Sequence, residues 1–214
     1  MFAEASRRLR PEGGAEWMEC GGAYAAFNGI ESPATQTFGL GIFEELNAAT
    51  LDTIERFFFE RGAPVLHEVS PFAGVAALGL LCERGYRPTE LSNVMYRPVV
   101  APSAEDRGNV RARVVRSDEE SLWAEVLAKG WRHEHPELVE CFAANGAIST
   151  ECEGSVRFLA EVNGKPGAAG TLLVHNGVGL FGGAATVPEM RRRGLQAALI
   201  EARIQYAFDH LAIC

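Results

Sequence analysis

From Val110 to Arg116 the chain alternates apolar and polar residues (VRARVVR), the period of a strand with one buried face. Ser117, with Glu120 three residues on, reads as a capping box that opens a helix through about Lys129. A second helix is expected from about Pro136 to Ala144, with Pro136 in its first turn and Gly146 beyond its end. Three β runs follow, Ser155–Val162, Ala168–His175 and Val178–Val187. They are joined by Asn163-Gly164 and Asn176-Gly177, the strongest short-range hairpin signals. Leu195, Ala198, Leu199, Ala202 and Tyr206 then recur at helical spacing along a helix from about Gly194 to Phe208. The last residues, Leu211–Cys214, begin a further strand pattern.

The earlier half carries related pieces. Gly22–Phe27 and Thr37–Phe43 read as strands, and a helix over Ala49–Glu60 closes at Arg61-Gly62. Val65–Val69 is a strand pattern, Ser70-Pro71 caps a helix that ends at Arg84-Gly85, and Ser92–Arg97 is another strand pattern. Between the halves, Arg97–Gly108 (RPVVAPSAEDRG) gathers prolines, small residues and charges. The expected organisation is therefore a domain over 1–100 and a second over 110–214.

Apolar residues make up 47% of the 214, enough for a real core. The net charge of −8 argues against a nucleic acid or an anionic membrane as partner. No apolar run approaches a membrane span, and Met1–Pro11 has arginines at 7, 8 and 10 without an apolar stretch behind them, so it does not read as a signal peptide. Five cysteines without a CxxC pair read as intracellular thiols, with no metal site. A soluble cytoplasmic protein is expected.

Charge matters most where it gathers. Residues 1–109 hold 9 basic and 15 acidic side chains, net −6, and residues 110–214 hold 11 and 13, net −2. Three of those cations are consecutive, in Thr186-Val187-Pro188-Glu189-Met190-Arg191-Arg192-Arg193-Gly194-Leu195-Gln196, between a strand and an amphipathic helix. A helix start offers unpaired N–H groups and the positive end of its dipole. Gly194 permits close approach to the backbone, Pro188 ends the strand, and guanidinium suits phosphate geometry. Together they describe a cradle for a pyrophosphate. A Walker P-loop and a Rossmann fingerprint are both absent.

Residues 110–214 resemble the GNAT superfamily of acyl-CoA-dependent N-acyltransferases. The pattern is a strand ending in V-x-P or a close variant, then R/Q-x-x-G-x-G/A opening a helix. Arg191-Arg192-Arg193-Gly194-Leu195 matches R-x-x-G-x, Gln196 takes the last small position with Ala197 after it, and Thr186 stands where the pattern has its first Val. The resemblance implies a mixed α/β fold, a mostly antiparallel sheet flanked by helices. It implies acetyl-CoA as cosubstrate, with no metal. Backbone groups of Ala185, Thr186 and Val187 would pair with the pantetheine arm, and Arg192, Arg193, Gly194, Leu195, Gln196 and Ala197 would hold the pyrophosphate. A small-molecule or peptide amine would attack the thioester directly; a CoA-binding regulatory module without catalysis is the alternative.

The catalytic residues stay open. His133, Glu134 and His135 either line the acceptor site or form a solvated loop, and His175 reads as a hairpin-end residue. The family's general acid lies on a helix that would follow Cys214, so the second copy reads as missing its last strand and helix, and Tyr206 is not assigned that role. A sheet edge left at Leu211–Cys214 could be covered by a second copy, which predicts a homo-oligomer. In the first half the matching turn is Glu44-Glu45-Leu46-Asn47, without Arg or Gly, and its carboxylates would repel a pyrophosphate. The expectation is two tandem partial copies, the first unable to bind CoA. His67 and Glu68 either face a cleft or take core and surface positions.

Overall fold

The computed structural model describes residues 1–101, 107–132 and 146–211. The chain divides into two compact units, Met1–Met95 and Tyr96–Cys214.

The first unit opens with helix α1 (Phe2–Leu9) and a 3₁₀ turn, Pro11–Gly13, then an antiparallel meander of β1 (Glu16–Cys20), β2 (Ala23–Phe27) and β3 (Gln36–Phe38). Gly21 and Gly22, both at positive φ (57° and 69°), make the two-residue turn between β1 and β2. Alternate residues of β2, Ala23, Ala25 and Phe27, point into a core with Leu51, Ile54 and Phe58 of α2 (Ala48–Phe59) and with Ala77 and Leu81 of α3 (Gly74–Glu83). Asn47 caps α2, its side chain accepting from the Thr50 N–H at 3.0 Å. The strand expected over Thr37–Phe43 stops at Phe38, because Gly39 and Gly41 take positive φ (77° and 71°) and turn the backbone out of the ladder. Val65–Val69 reduces to one parallel bridge, His67 to Thr37. Ser92–Arg97 forms no strand: neither sheet offers it a neighbour, and Met95 and Tyr96 are exposed.

Against that bridge lies a polar cluster. The Tyr86 hydroxyl donates to Glu55 Oε1 at 3.0 Å and Arg84 Nη1 to Glu55 Oε2 at 2.8 Å, while the Tyr86 ring stands 4.7 Å from that of His67. Both ring nitrogens of His67 are buried without a partner. Burial pushes the imidazole down to about 4, with the Glu55 carboxylate pulling weakly upward. Glu68 is exposed.

The second unit is one antiparallel sheet in the order β4 (Val110–Val114), β5 (Ser155–Val162), β6 (Lys165–His175), β7 (Val178–Thr186). The hairpins turn at Asn163-Gly164 (φ 52° and 75°) and Asn176-Gly177 (47° and 76°), as the sequence predicts; His175 pairs with Val178 beside the second turn. A 3₁₀ turn, Ser117–Glu119, precedes helix α4 (Glu120–Arg132). The capping acid is therefore Glu119 rather than Glu120: the inserted turn moves the helix entry one residue upstream. Glu119 accepts from the Arg116 N–H at 3.2 Å and from Arg113 at 2.6 and 2.8 Å, and the Arg113 bonds hold its carboxyl down at about 2. The helix expected over Pro136–Ala144 and the strand start at Leu211–Cys214 lie outside the described residues, apart from Leu211, which ends α5 (Leu195–Leu211). Helix α5 packs Leu195 and Leu199 against Phe158, Ala160, Ala168 and Leu172. Helix α4 packs Trp123, Val126 and Leu127 against Leu159, Ala169 and Ala185. One side of the sheet thus belongs to each helix.

The β6–β7 ladder is broken once. Its register passes from Ala169 opposite Ala185 to Thr171 opposite Gly182, so Gly170 faces both Gly183 and Ala184. Gly183 sits at φ 53°, the left-handed residue of a β-bulge.

A pH dependence follows from His67. Its folded pKa lies below the ordinary value, so the unfolded chain binds the proton more tightly and stability falls as pH drops from about 6.5 towards 4. Urea unfolding is expected to lose about 3 kcal/mol over that window from this residue alone. His67→Phe, which keeps the ring contact with Tyr86, is expected to flatten that slope.

Candidate functional site

Strand β7 does not end at its last ladder pair. Val187 still donates its N–H to Gly167 C=O at 2.9 Å, and a 3₁₀ turn, Pro188–Met190, begins at the proline that removes the next donor. Met190 is buried, and a Cβ on Gly167 would come within 2.9 Å of it, so this glycine makes room for the turn. The chain then crosses Arg192 at φ 62° and Gly194 at φ 83° before α5 starts. The Ala198 N–H donates to Gly194 C=O at 3.0 Å, and the amides of Leu195, Gln196 and Ala197 precede that ladder. Arg192, Arg193 and Gly194 are exposed.

Side chains fix the turn. Arg191 reaches Thr186 C=O through Nε at 3.4 Å and Gly130 C=O through Nη2 at 3.5 Å. Gln196 Nε2 donates to Thr186 Oγ1 at 3.1 Å. Gly130, near the end of α4, lies so close to β7 that a Cβ there would stand 2.5 Å from Ala185 Cβ and 3.1 Å from the Thr186 nitrogen.

These pieces enclose a cavity of about 450 Å³. Its walls are Gly130 and Trp131 from α4, Ala184, Ala185 and Thr186 from β7, Met190, Arg191, Arg192 and Gly194 from the turn, and Leu195, Gln196 and Ala197 from α5. Ala185, Thr186, Arg192, Gly194, Leu195, Gln196 and Ala197 come together on these walls, while Val187 and Arg193 lie off the lining. Gly130, Trp131, Ala184, Met190 and Arg191 join the walls. Of these, Met190 and Arg191 stand in the sequence motif itself, whereas Gly130, Trp131 and Ala184 leave no local trace of their place on the walls.

Beneath the bulge the two helices reach β6 from opposite sides. Trp123 Nε1 donates to Gly170 C=O at 3.3 Å, and Arg203 Nη1 donates to Thr171 C=O at 3.2 Å. Arg203 is 2% exposed, also donates through Nε to Leu199 C=O at 3.0 Å, and lies 4.6 Å over the Phe181 ring. Burial lowers its pKa to about 10, so it stays charged at neutral pH.

A solved structure, a GCN5-related N-acetyltransferase from Kribbella flavida, superposes on 97% of this chain and 80% of its own at TM-score 0.61 and 19% identity. The chain has the GNAT fold. A GCN5-related N-acetyltransferase from Sphaerobacter thermophilus superposes at TM-score 0.52 and 17% identity, over 88% of this chain and 64% of its own. A third structure, AAC(6')-Iy in complex with the bisubstrate analog CoA-S-monomethyl-acetylneamine, covers 49% of this chain and 75% of its own at TM-score 0.36 and 17% identity. No protein-family model and no curated protein matches the sequence.

Within the GNAT fold of this chain, His133, Glu134 and His135 lie outside the described residues. Tyr206 packs inward, its ring 5.8 Å from that of Phe158 and stacked on His210 at 3.8 Å, which gives it a core role. No helix among the described residues is long and apolar enough to cross a membrane. Because Gly130 has no room for a Cβ, Gly130→Ala is expected to destabilise the chain by about 1–3 kcal/mol in urea unfolding, since the contacts are with Ala185 Cβ and the β7 backbone, neither of which can rotate away.

Proposed function

We propose that residues 96–214 form an acyl-CoA-dependent N-acyltransferase domain. It transfers an acetyl group from acetyl-CoA to the amine of a small-molecule or peptide acceptor. The observation that carries this reading is the cavity between the end of β7 and the start of α5, with unladdered amides and arginines on its walls. That wall suits a pyrophosphate: Gly194 at φ 83° has open space where a side chain would be, and the helix dipole favours negative charge there. Residues 192–197 hold the phosphates, and the backbone of Ala185–Val187 takes the pantetheine arm.

In the reaction the amine nitrogen forms a bond to the thioester carbonyl carbon, the C–S bond breaks, CoA leaves as the thiol, and the nitrogen loses a proton. Among the described residues lining the cavity there is no Asp, Glu, His, Tyr or Cys. In this reading the acceptor arrives as the free base, or passes its proton to water or to a base beyond these lining residues.

The same lining supports a second reading, a CoA-binding module that catalyses nothing. In either reading residues 1–95 are a degenerate copy of the plan. In each unit an antiparallel meander feeds a helix, β1–β3 into α2 and β5–β7 into α5. Where the second unit has arginines and Gly194, the first has exposed Glu44 and Glu45. In this reading the protein is cytoplasmic and forms a homo-oligomer.

Acetyl-CoA at about a hundredfold excess over its Kd is expected to raise the melting temperature by about 5–10 °C. Gly194→Glu, which puts a carboxylate on a strained left-handed position in the cradle, is expected to abolish the shift. No shift with the wild-type chain at millimolar acetyl-CoA would sink the proposal. Release of free thiol, followed with a thiol-reactive dye across a panel of amines, separates the two readings: turnover with any amine favours the transferase, and tight binding without turnover favours the module.

A further inference from the structure

The turn between β7 and α5 is tied to one residue. Thr186 pairs with Ala168 in the sheet, its carbonyl accepts from Arg191, and its hydroxyl accepts from Gln196 at 3.1 Å. Thr186 and Gln196 are also the two places, ten residues apart, where the chain departs from the GNAT pattern of Val and a small residue. In the fold they bond to each other. Side chains on a helix lean towards its N-terminus, which is how the Gln196 amide spans back across the turn to the end of the strand. A Val at 186 would leave that amide without an acceptor, and an Ala at 196 would leave the hydroxyl without its donor.

What the bond closes needs closing. The enclosed turn holds a non-glycine residue, Arg192, in the left-handed region, a conformation that persists only where the surroundings over-determine it. We propose that Thr186 and Gln196 are a single positioning pair whose side-chain bond preorganises the β7–α5 turn for the pyrophosphate of CoA. The inference rests on the acyl-CoA reading above. A turn ordered before binding spares the ligand that ordering entropy.

Titration calorimetry of the full chain with CoA tests it. Thr186→Val and Gln196→Ala are each expected to weaken binding about three- to tenfold, the worth of one net hydrogen bond. The double variant is expected to lose no more than either single, because both remove the same bond. Thr186→Ser, which keeps the hydroxyl, is expected to bind like the wild type. Melting temperatures of the unliganded variants, expected to fall by no more than about 5 °C, too little to unfold the chain at the assay temperature, separate positioning from folding. Single variants that bind equally or more tightly, a double variant that loses the product of the two factors, or affinity losses that track falling melting temperatures would each overturn the pair. A wild-type chain that binds no CoA overturns the acyl-CoA reading itself and the pair with it.

Discussion

The second unit turns on one interruption in a hydrogen-bond ladder. Where Gly170 faces two residues of β7 instead of one, its carbonyl and that of Thr171 take side-chain donors, Trp123 from one side of the sheet and Arg203 from the other. Buried carbonyls need partners, and a bulge loosens the ladder that supplies them, so side-chain donors carry more weight at this depth. Two helices on opposite faces provide such donors. That requirement fixes which face of α4 and which face of α5 must point inward at this level, and the apolar packing of both helices is built around it.

The close approach at Gly130 belongs to the same arrangement. Helix α4 must come near enough for Trp123 to reach Gly170, and one to two turns later its backbone meets Ala185 and Thr186, where only a glycine fits. The cavity opens just past that contact, so its depth is set by a missing side chain on the helix as much as by the turn that bears the arginines.

Much of this was legible in the residues. The Asn-Gly pairs announce their hairpins because few other dipeptides accept two left-handed conformations in succession. The turn after β7 is readable because its donors are mostly backbone and its cations are contiguous. Contacts between distant residues left no comparable trace. Trp123 and Gly170 are 47 positions apart, and nothing local marks Arg203 as buried rather than solvated. In the first unit, Thr37–Phe43 has strand composition, yet its glycines at 39 and 41 were the deciding residues, and a glycine permits a turn without demanding one. Helix α1 is amphipathic but only eight residues long and carries Glu4, Arg7 and Arg8, and the five residues of β1 (EWMEC) carry two glutamates, so both are too short and too polar to stand out.

Arg203 carries a consequence that the surface arginines do not share. Its charge is met by two carbonyls and an aromatic face, and its pKa is moved by burial alone, with no acidic neighbour contributing. Mobile ions screen exposed charges within about 10 Å at ordinary ionic strength, but they do not enter a packed interior. Added salt therefore quiets Arg192 and Arg193 long before it quiets Arg203. The charge beneath the bulge is thus set by packing rather than by the ionic strength of the buffer.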